Sequence, residues 1–132
     1  MMRAVLADVG PLYAAADGSD AHHRQALEQL EKLARNRREV IVPYPTLLEA
    51  YSLVLFRMGT SAAFKWLTFM ADASVVNPTP EDYREAVARV RALPDQRITL
   101  LDAVVAVVAA RMKLEVWTYD HHFDLMRVAV WR

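Results

Sequence analysis

Four acidic residues, Asp8, Glu49, Asp102 and Asp120, are placed where a carboxylate could do chemistry. Asp102 interrupts the apolar run LLDAVVAVVAA, and Asp120 ends the β-like run that follows it. Burying an unpaired carboxylate costs several kcal/mol, so an acid inside such a run is expected to have a compensating partner.

Carboxylates that converge on one site repel one another, which either raises their pKa values or recruits cations. Mg²⁺ prefers a few carboxylates plus water molecules in octahedral geometry. Two such ions about 4 Å apart can activate a water molecule and stabilise the leaving oxygen in phosphodiester hydrolysis. Helix N-termini at Glu49 and Asp102 would help to keep both acids ionised. Converging acids would therefore favour metal-dependent phosphodiester hydrolysis.

Each acid also has a purely structural explanation. The segments TLLE (46–49) and TLLD (99–102) both match the capping box, in which the acid returns a hydrogen bond to the backbone. Asp8 precedes a Gly-Pro turn, and Asp120 could cap the next turn. Only the joint arrangement of the four residues favours a site.

The elements that must position these acids are short strands separated by helices. Strands are predicted at Arg3–Ala7, Val40–Val42, Ser74–Val76, Glu115–Thr118 and Val128–Trp131. Helices are predicted at Leu12–Ala16, Ala21–Arg35, Thr46–Gly59, Thr60–Ala71, Pro80–Leu93 and Leu100–Met112. This alternation indicates an α/β fold with a parallel sheet and helices on both faces. In such folds the site forms at the carboxyl ends of the strands, where Asp8 and Asp120 lie.

Composition limits the class of protein. The 132 residues are 55% hydrophobic and 24% charged, which suits one domain spanning residues 1–132. Sixteen basic and sixteen acidic residues give no net charge, so a polyanion must be met by local patches. The absence of cysteine excludes disulfides and thiolate metal sites. No signal peptide or membrane span is apparent, and a soluble, cytoplasmic protein is expected.

Four segments together resemble a known family. VLADVGPLYAA, TLLEA, ITLLDAVVAVVAA and VWTYDHHF are similar to the PIN domain, especially the VapC-type toxin ribonucleases of toxin–antitoxin pairs. The resemblance covers essentially the whole chain. It implies a three-layer α/β/α sandwich around a central, mainly parallel sheet. It also implies cleavage of single-stranded RNA with Mg²⁺ or Mn²⁺.

The resemblance assigns roles to residues of this chain. The family's metal-binding acids match Asp8, Glu49, Asp102 and Asp120, and the threonine of its T-x-D motif matches Thr118. Water would attack an RNA phosphodiester while Asp8 and Asp102 hold the principal ion. Glu49 and Asp120 would complete the acidic ring, directly or through water.

The chain departs from the family pattern at two positions. A serine or threonine often follows the first acid, whereas Val9 stands here, and His122 replaces a second acid of the final motif. Asp124 lies just beyond and is the candidate substitute. For His121 and His122, surface or capping roles are favoured over catalysis.

The resemblance further implies a homodimer and a small antitoxin whose C-terminal segment blocks the acidic site. Three alternatives remain: a PIN-fold RNA-processing nuclease outside a toxin system, a non-catalytic binding module, and a receiver-type signalling domain. The last is disfavoured because receivers need an adjacent acid pair after the first strand and a lysine after the last. Asp8 follows an alanine, and no lysine follows Lys113.

Overall fold

The computed structural model describes residues 3–132, which build a five-stranded sheet covered by helices on both faces. The strands are β1 (Val5–Ala7), β2 (Val40–Pro43), β3 (Ser74–Val76), β4 (Glu115–Trp117) and β5 (Val130–Trp131). All neighbouring pairs are parallel, in the order β3-β2-β1-β4-β5. The prediction of a mainly parallel sheet is confirmed.

Helices connect the strands. Within the described range they are α1 (Val9–Ala16), α2 (His23–Arg35), α3 (Tyr44–Met58), α4 (Thr60–Met70), α5 (Pro80–Ala92), α6 (Leu100–Met112) and α7 (His122–Leu125). None of these helices is both long enough and apolar enough to cross a membrane.

Alternation along the strands divides the interior into two cores. Val5, Ala7 and Trp117 face α1 to α4, whereas Leu6 and Val116 face α5 to α7. Successive side chains of a strand point to opposite faces of the sheet. Because helices cover both faces, these strands can be apolar at every position. The arrangement is the predicted three-layer α/β/α sandwich.

The strand order reverses between β1 and β4. The chain builds β1, β2 and β3 in one direction and then returns through α5 and α6 to place β4 on the other side of β1. Such a reversal opens a crevice at the carboxyl ends of the two strands. Asp8 directly follows β1, and Asp120 lies three residues after β4, so both belong to this edge.

Three helices begin at other residues than predicted. α1 begins at Val9 and α3 at Tyr44, and each has a proline in its first turn. Proline is tolerated there because the N–H that it lacks would have no partner within the helix. Prolines interpreted as stops are therefore parts of helix starts. α2 begins at His23, since Asp20 Oδ1 accepts a hydrogen bond from the His22 N–H (2.8 Å) in a preceding turn.

The start of α3 corrects the predicted position of Glu49. This residue lies in the second turn of the helix, and the first turn carries no acid. The helix dipole therefore does less for Glu49 than expected, because its effect is confined to the first turn.

An ion pair between a buried carboxylate and a half-exposed arginine attaches α5 to α6, the helix that carries Asp102. Thr79 and Asp82 form a complete capping box at the start of α5. The same Asp82 carboxylate accepts hydrogen bonds from Nε (2.9 Å) and Nη2 (2.7 Å) of Arg111 in α6. These bonds hold the pKa of Asp82 below its usual value.

Replacing this carboxylate should destabilise the domain. Asp82→Ala removes the carboxylate of the capping box, which should lower the free energy of unfolding by about 1–2 kcal/mol in urea denaturation, and it also removes the hydrogen bonds from Arg111. Glu81→Ala, the control, removes an exposed partner of Arg84 and should change it by less than about 0.5 kcal/mol. Because the pKa of Asp82 is lowered, its contribution should be present above pH 3.8 and disappear as the pH falls further. Equal effects of both variants would contradict this account.

Candidate active site

A cavity of about 550 Å³ lies at the edge of the sheet where β1 and β4 end, and all four predicted acids line it. They come from four separate elements: the ends of two strands and two helices. The structure thus brings together residues that are more than a hundred positions apart in the sequence.

Asp8 is the most buried of the four acids, with 5% of its surface exposed. It occupies the N-cap position of α1, yet its side chain makes no capping hydrogen bond. Instead, Oδ2 accepts a hydrogen bond from Thr118 Oγ1 (2.8 Å). Burial raises the pKa of Asp8, and the Thr118 hydroxyl and the Val9 N–H only partly oppose this. The carboxylate is therefore short of positive partners.

Asp102 lies in the first turn of α6, where Thr99 Oγ1 accepts a hydrogen bond from the Asp102 N–H (3.1 Å). The reciprocal bond of a capping box, which Asp82 makes in α5, is not formed here. The carboxyl group approaches Asp120 instead. Burial, and then the charges of Asp8 and Asp120, raise the pKa of Asp102 to about 7. Near neutral pH, this carboxyl is thus poised between binding a proton and binding another cation.

Asp120 combines a capping role with a place in the cluster. Its Oδ1 accepts a hydrogen bond from the His122 N–H (2.9 Å), so the structural alternative predicted for it is present. Its side chain also contacts that of Asp102. Thr118 links the two strand ends, because its hydroxyl donates to Asp8 and accepts from the Asp120 N–H (2.9 Å).

Glu49 lines the same cavity from α3 and is exposed. The capping-box explanation fails for it, because Pro43 is the N-cap and Thr46 is fully buried. The Thr46 hydroxyl finds no hydrogen-bond partner among the described residues. The charge of Glu49 contributes to the raised pKa of Asp8.

The auxiliary residues are placed unequally. His122 is half-buried, and its Nδ1 lies 2.9 Å from Asp120 Oδ1 without the alignment of a hydrogen bond. One oxygen of Asp120 and ring nitrogens of His121 and His122 lie within 4.8 Å of one another. Asp124, the candidate substitute for the missing acid, does not line the cavity and pairs with Arg132 (3.2 Å).

The sequence interpretation missed Arg57, the one lysine or arginine among the described residues that line the cavity. Its guanidinium lies 5.0 Å from the centre of the Tyr13 ring. Glu49, Leu53 and Arg57 are spaced four residues apart on α3 and line the cavity together. Helical spacing from Glu49 could have identified Arg57.

The donor set fits a hard divalent cation. Burial, and then the charges of neighbouring acids, raises the pKa values of Asp8 and Asp102, and all four acids of the cavity offer oxygen atoms. Mg²⁺ and Mn²⁺ prefer such ligands. A cation bound there would replace the proton that Asp102 otherwise retains.

Known proteins with this fold include several toxins. The VapC20 toxin of Mycobacterium tuberculosis, described as cleaving the sarcin-ricin loop, is 18% identical with a TM-score of 0.83, over 97% of this chain and 98% of that one. VapBC2 of Rickettsia felis, bound to a promoter DNA fragment, is 14% identical with a TM-score of 0.76, over 98% and 97%. A toxin–antitoxin complex of Klebsiella pneumoniae is 17% identical with a TM-score of 0.68, over 89% and 87%. At these identities, the likeness concerns the fold.

No curated protein matches the sequence significantly. The family model described as "PIN domain" matches residues 5–129, which include both core layers and all four acids of the cavity. This chain belongs to the PIN domain family.

Proposed function

We propose that this protein is a divalent-metal-dependent endoribonuclease that cleaves single-stranded RNA and acts in the cytoplasm as the toxin of a toxin–antitoxin pair. The observation that carries the proposal is the convergence of Asp8, Glu49, Asp102 and Asp120 on one cavity. Membership of the PIN family supports a hydrolase. The similar fold of a toxin described as cleaving the sarcin-ricin loop supports RNA as the substrate.

In this proposal Asp8 and Asp102 hold the principal Mg²⁺ or Mn²⁺ ion, and Glu49 and Asp120 complete the acidic ring. When bound, such an ion would supply positive charge to activate a water molecule and to stabilise the leaving oxygen. Thr118 orients the site, because one hydroxyl fixes both Asp8 and the backbone of Asp120. His122 and the hydroxyl of Thr118 remain auxiliary candidates, whereas Asp124 lies outside the cavity and pairs with Arg132.

Arg57 gives the cavity a cation of its own. It projects from α3 on the side of the cavity that Glu49 also lines, and the Tyr13 ring supports its guanidinium. A guanidinium can bind a phosphate through two parallel hydrogen bonds. We assign Arg57 the task of holding the RNA backbone beside the acids.

The partner surfaces of the proposed toxin lie on the α1–α4 layer. A largely apolar groove of about 1020 Å³ runs between these helices, with Trp66 at its base and Phe69 80% exposed at its rim. We assign the groove to an apolar segment of the antitoxin, and the similar fold found in the Klebsiella pneumoniae toxin–antitoxin complex supports such a partner. Leu48 and Phe56, 63% and 82% exposed on α3, offer an apolar face to a second copy of the chain.

Removing the Asp102 charge should stabilise the metal-free protein. The pKa of Asp102 is raised from 3.8 to about 7, so ionisation weakens the native state as the pH rises through this window. At pH 8 without metal, Asp102→Asn should raise Tm by several degrees, whereas Asp95→Asn in an exposed loop should leave it unchanged.

Manganese should reverse that order. A concentration of 100 times Kd stabilises a protein by about 2.7 kcal/mol, and only the intact site gains this. In thermal melts, the Tm of Asp102→Asn should therefore be above that of wild type without Mn²⁺ and below it with Mn²⁺. An Asp102→Asn protein that gains as much from Mn²⁺ as wild type would refute the metal site.

RNA cleavage should depend on the acids directly. Asp8→Asn or Asp102→Asn should lower Mg²⁺- or Mn²⁺-dependent kcat on single-stranded RNA by more than about 100-fold. Replacing residues that only hydrogen-bond to a metal ligand already lowers metal affinity or activity by about 10- to 100-fold. Asp95→Asn should cleave like wild type. Full cleavage by both acid variants, with folding verified by circular dichroism, would remove the nuclease assignment.

The toxin role has a separate test in cells. Expression should arrest growth, and co-expression of a small protein encoded beside the gene should relieve the arrest. Phe69→Glu in the groove should weaken this relief while leaving RNA cleavage intact, because a charge is costly in an apolar interface. Phe64→Glu is the control, as Phe64 is exposed on the same helix outside the groove. Harmless expression of an active nuclease would indicate an RNA-processing role instead.

A further inference from the structure

A smaller cavity of about 350 Å³ opens beside the acid cavity. The two share four lining residues, which are His22, Tyr119, Asp120 and His121. A strand that passes the acids can therefore continue into the second space without crossing the protein. We call this second space the side cleft.

Two aromatic rings form one wall of the side cleft. The rings of His22 and Tyr119 stack with centroids 4.8 Å apart and planes 28° from parallel. The Tyr119 hydroxyl donates a hydrogen bond to Gln29 Oε1 (2.6 Å), and the indole N–H of Trp117 donates to the same oxygen (2.8 Å). Because Trp117 is fully buried, this network anchors the Tyr119 ring to the core. The outer ring, His22, remains 54% exposed.

The position of His22 is not explained by the needs of the helix. It is the N-cap residue of α2, where Ser, Thr, Asp or Asn would bond to the first backbone N–H groups. The His22 side chain makes no such bond. Its ring lies against Tyr119 instead, with a loose contact to Asp20 (3.8 Å). The helix thus forgoes a cap of about 1 kcal/mol at this position, and the ring lines both cavities.

Polar groups surround the ring pair. Gln25 and Gln29 follow His22 at helical spacing on α2, and they line the cleft together with Arg132. The Gln25 amide can donate to and accept from the edge of a base, and the Gln29 amide can donate to it, since its oxygen already accepts from Trp117 and Tyr119. Arg132 pairs with Asp124 at the exposed surface (3.2 Å), and such exposed pairs exchange partners at little cost. The side cleft therefore combines a stacking surface, amides and a cation.

We propose that the side cleft binds one nucleotide of single-stranded RNA next to the cleaved phosphate, with its base stacked on His22 and its edge facing Gln25 and Gln29. The proposal rests on the proposed ribonuclease function and adds a subsite to it. Stacking of a base on an aromatic side chain contributes about 1–3 kcal/mol, which corresponds to about 5- to 100-fold in affinity.

The test combines one protein change with one substrate change. Short RNA oligomers, each lacking the base of a single nucleotide around the cleavage site, are cleaved by wild type, His22→Ala and His22→Phe. In wild type, one position should raise KM about 5- to 100-fold with little change in kcat. That penalty should vanish in His22→Ala and return in His22→Phe. Tyr83→Ala, which removes an exposed ring from α5, is the control and should keep the wild-type pattern.

Binding without cleavage separates this proposal from the nuclease assignment. Fluorescence anisotropy with labelled oligouridine and metal-free protein should show weaker binding by His22→Ala than by wild type, and recovery in His22→Phe. This result would stand even if no RNA were cleaved. Equal binding by all three proteins would overturn the subsite. In the cleavage assay, an equal rise in KM whichever base is missing would also overturn it.

Discussion

The burial of several carboxylates in one cavity is the constraint around which this structure is arranged. Asp8, Asp102 and Asp120 approach one another in a partly buried cavity, and burial, followed by the charges of the neighbouring acids, raises the pKa values of the first two. A fold that collapsed freely would separate such charges. The surrounding elements must therefore hold them together until a cation, or a proton, balances the charge.

The rigidity needed for this comes from the apolar core. Residues 103–109 of α6 are all buried, so the helix that carries Asp102 packs tightly between α5 and the sheet and its position is fixed. The Arg111–Asp82 pair fixes the far end of the same helix. Thr118 joins the ends of β1 and β4 through one hydroxyl. The core and these bonds thus supply the stability that the acid cluster lowers.

The sequence predicted what depends on local pattern. Short apolar runs separated by helical segments, and acids at the ends of those runs, predicted the parallel sheet, its two helical layers and the four acids that line the cavity. The starts of α1 and α3 were wrong, because prolines at helix starts look the same as prolines that end strands. Local pattern also could not distinguish the Thr46–Glu49 segment from a capping box. Arg57 and the His22–Tyr119 pair escaped notice because their roles depend on contacts between distant elements.

The charge balance of the chain explains why a stacking surface and a bound cation would matter here. Many nucleic-acid-binding proteins gain affinity from a broad basic surface that releases counterions from the phosphates. This chain has sixteen basic and sixteen acidic residues, and its cavity concentrates acids. An RNA strand would meet repulsion there unless a divalent ion, Arg57 and a base-stacking surface compensate for it. Recognition would then depend on a few specific contacts at the cavity, and a strand without a base in the side cleft would gain little from the rest of the surface.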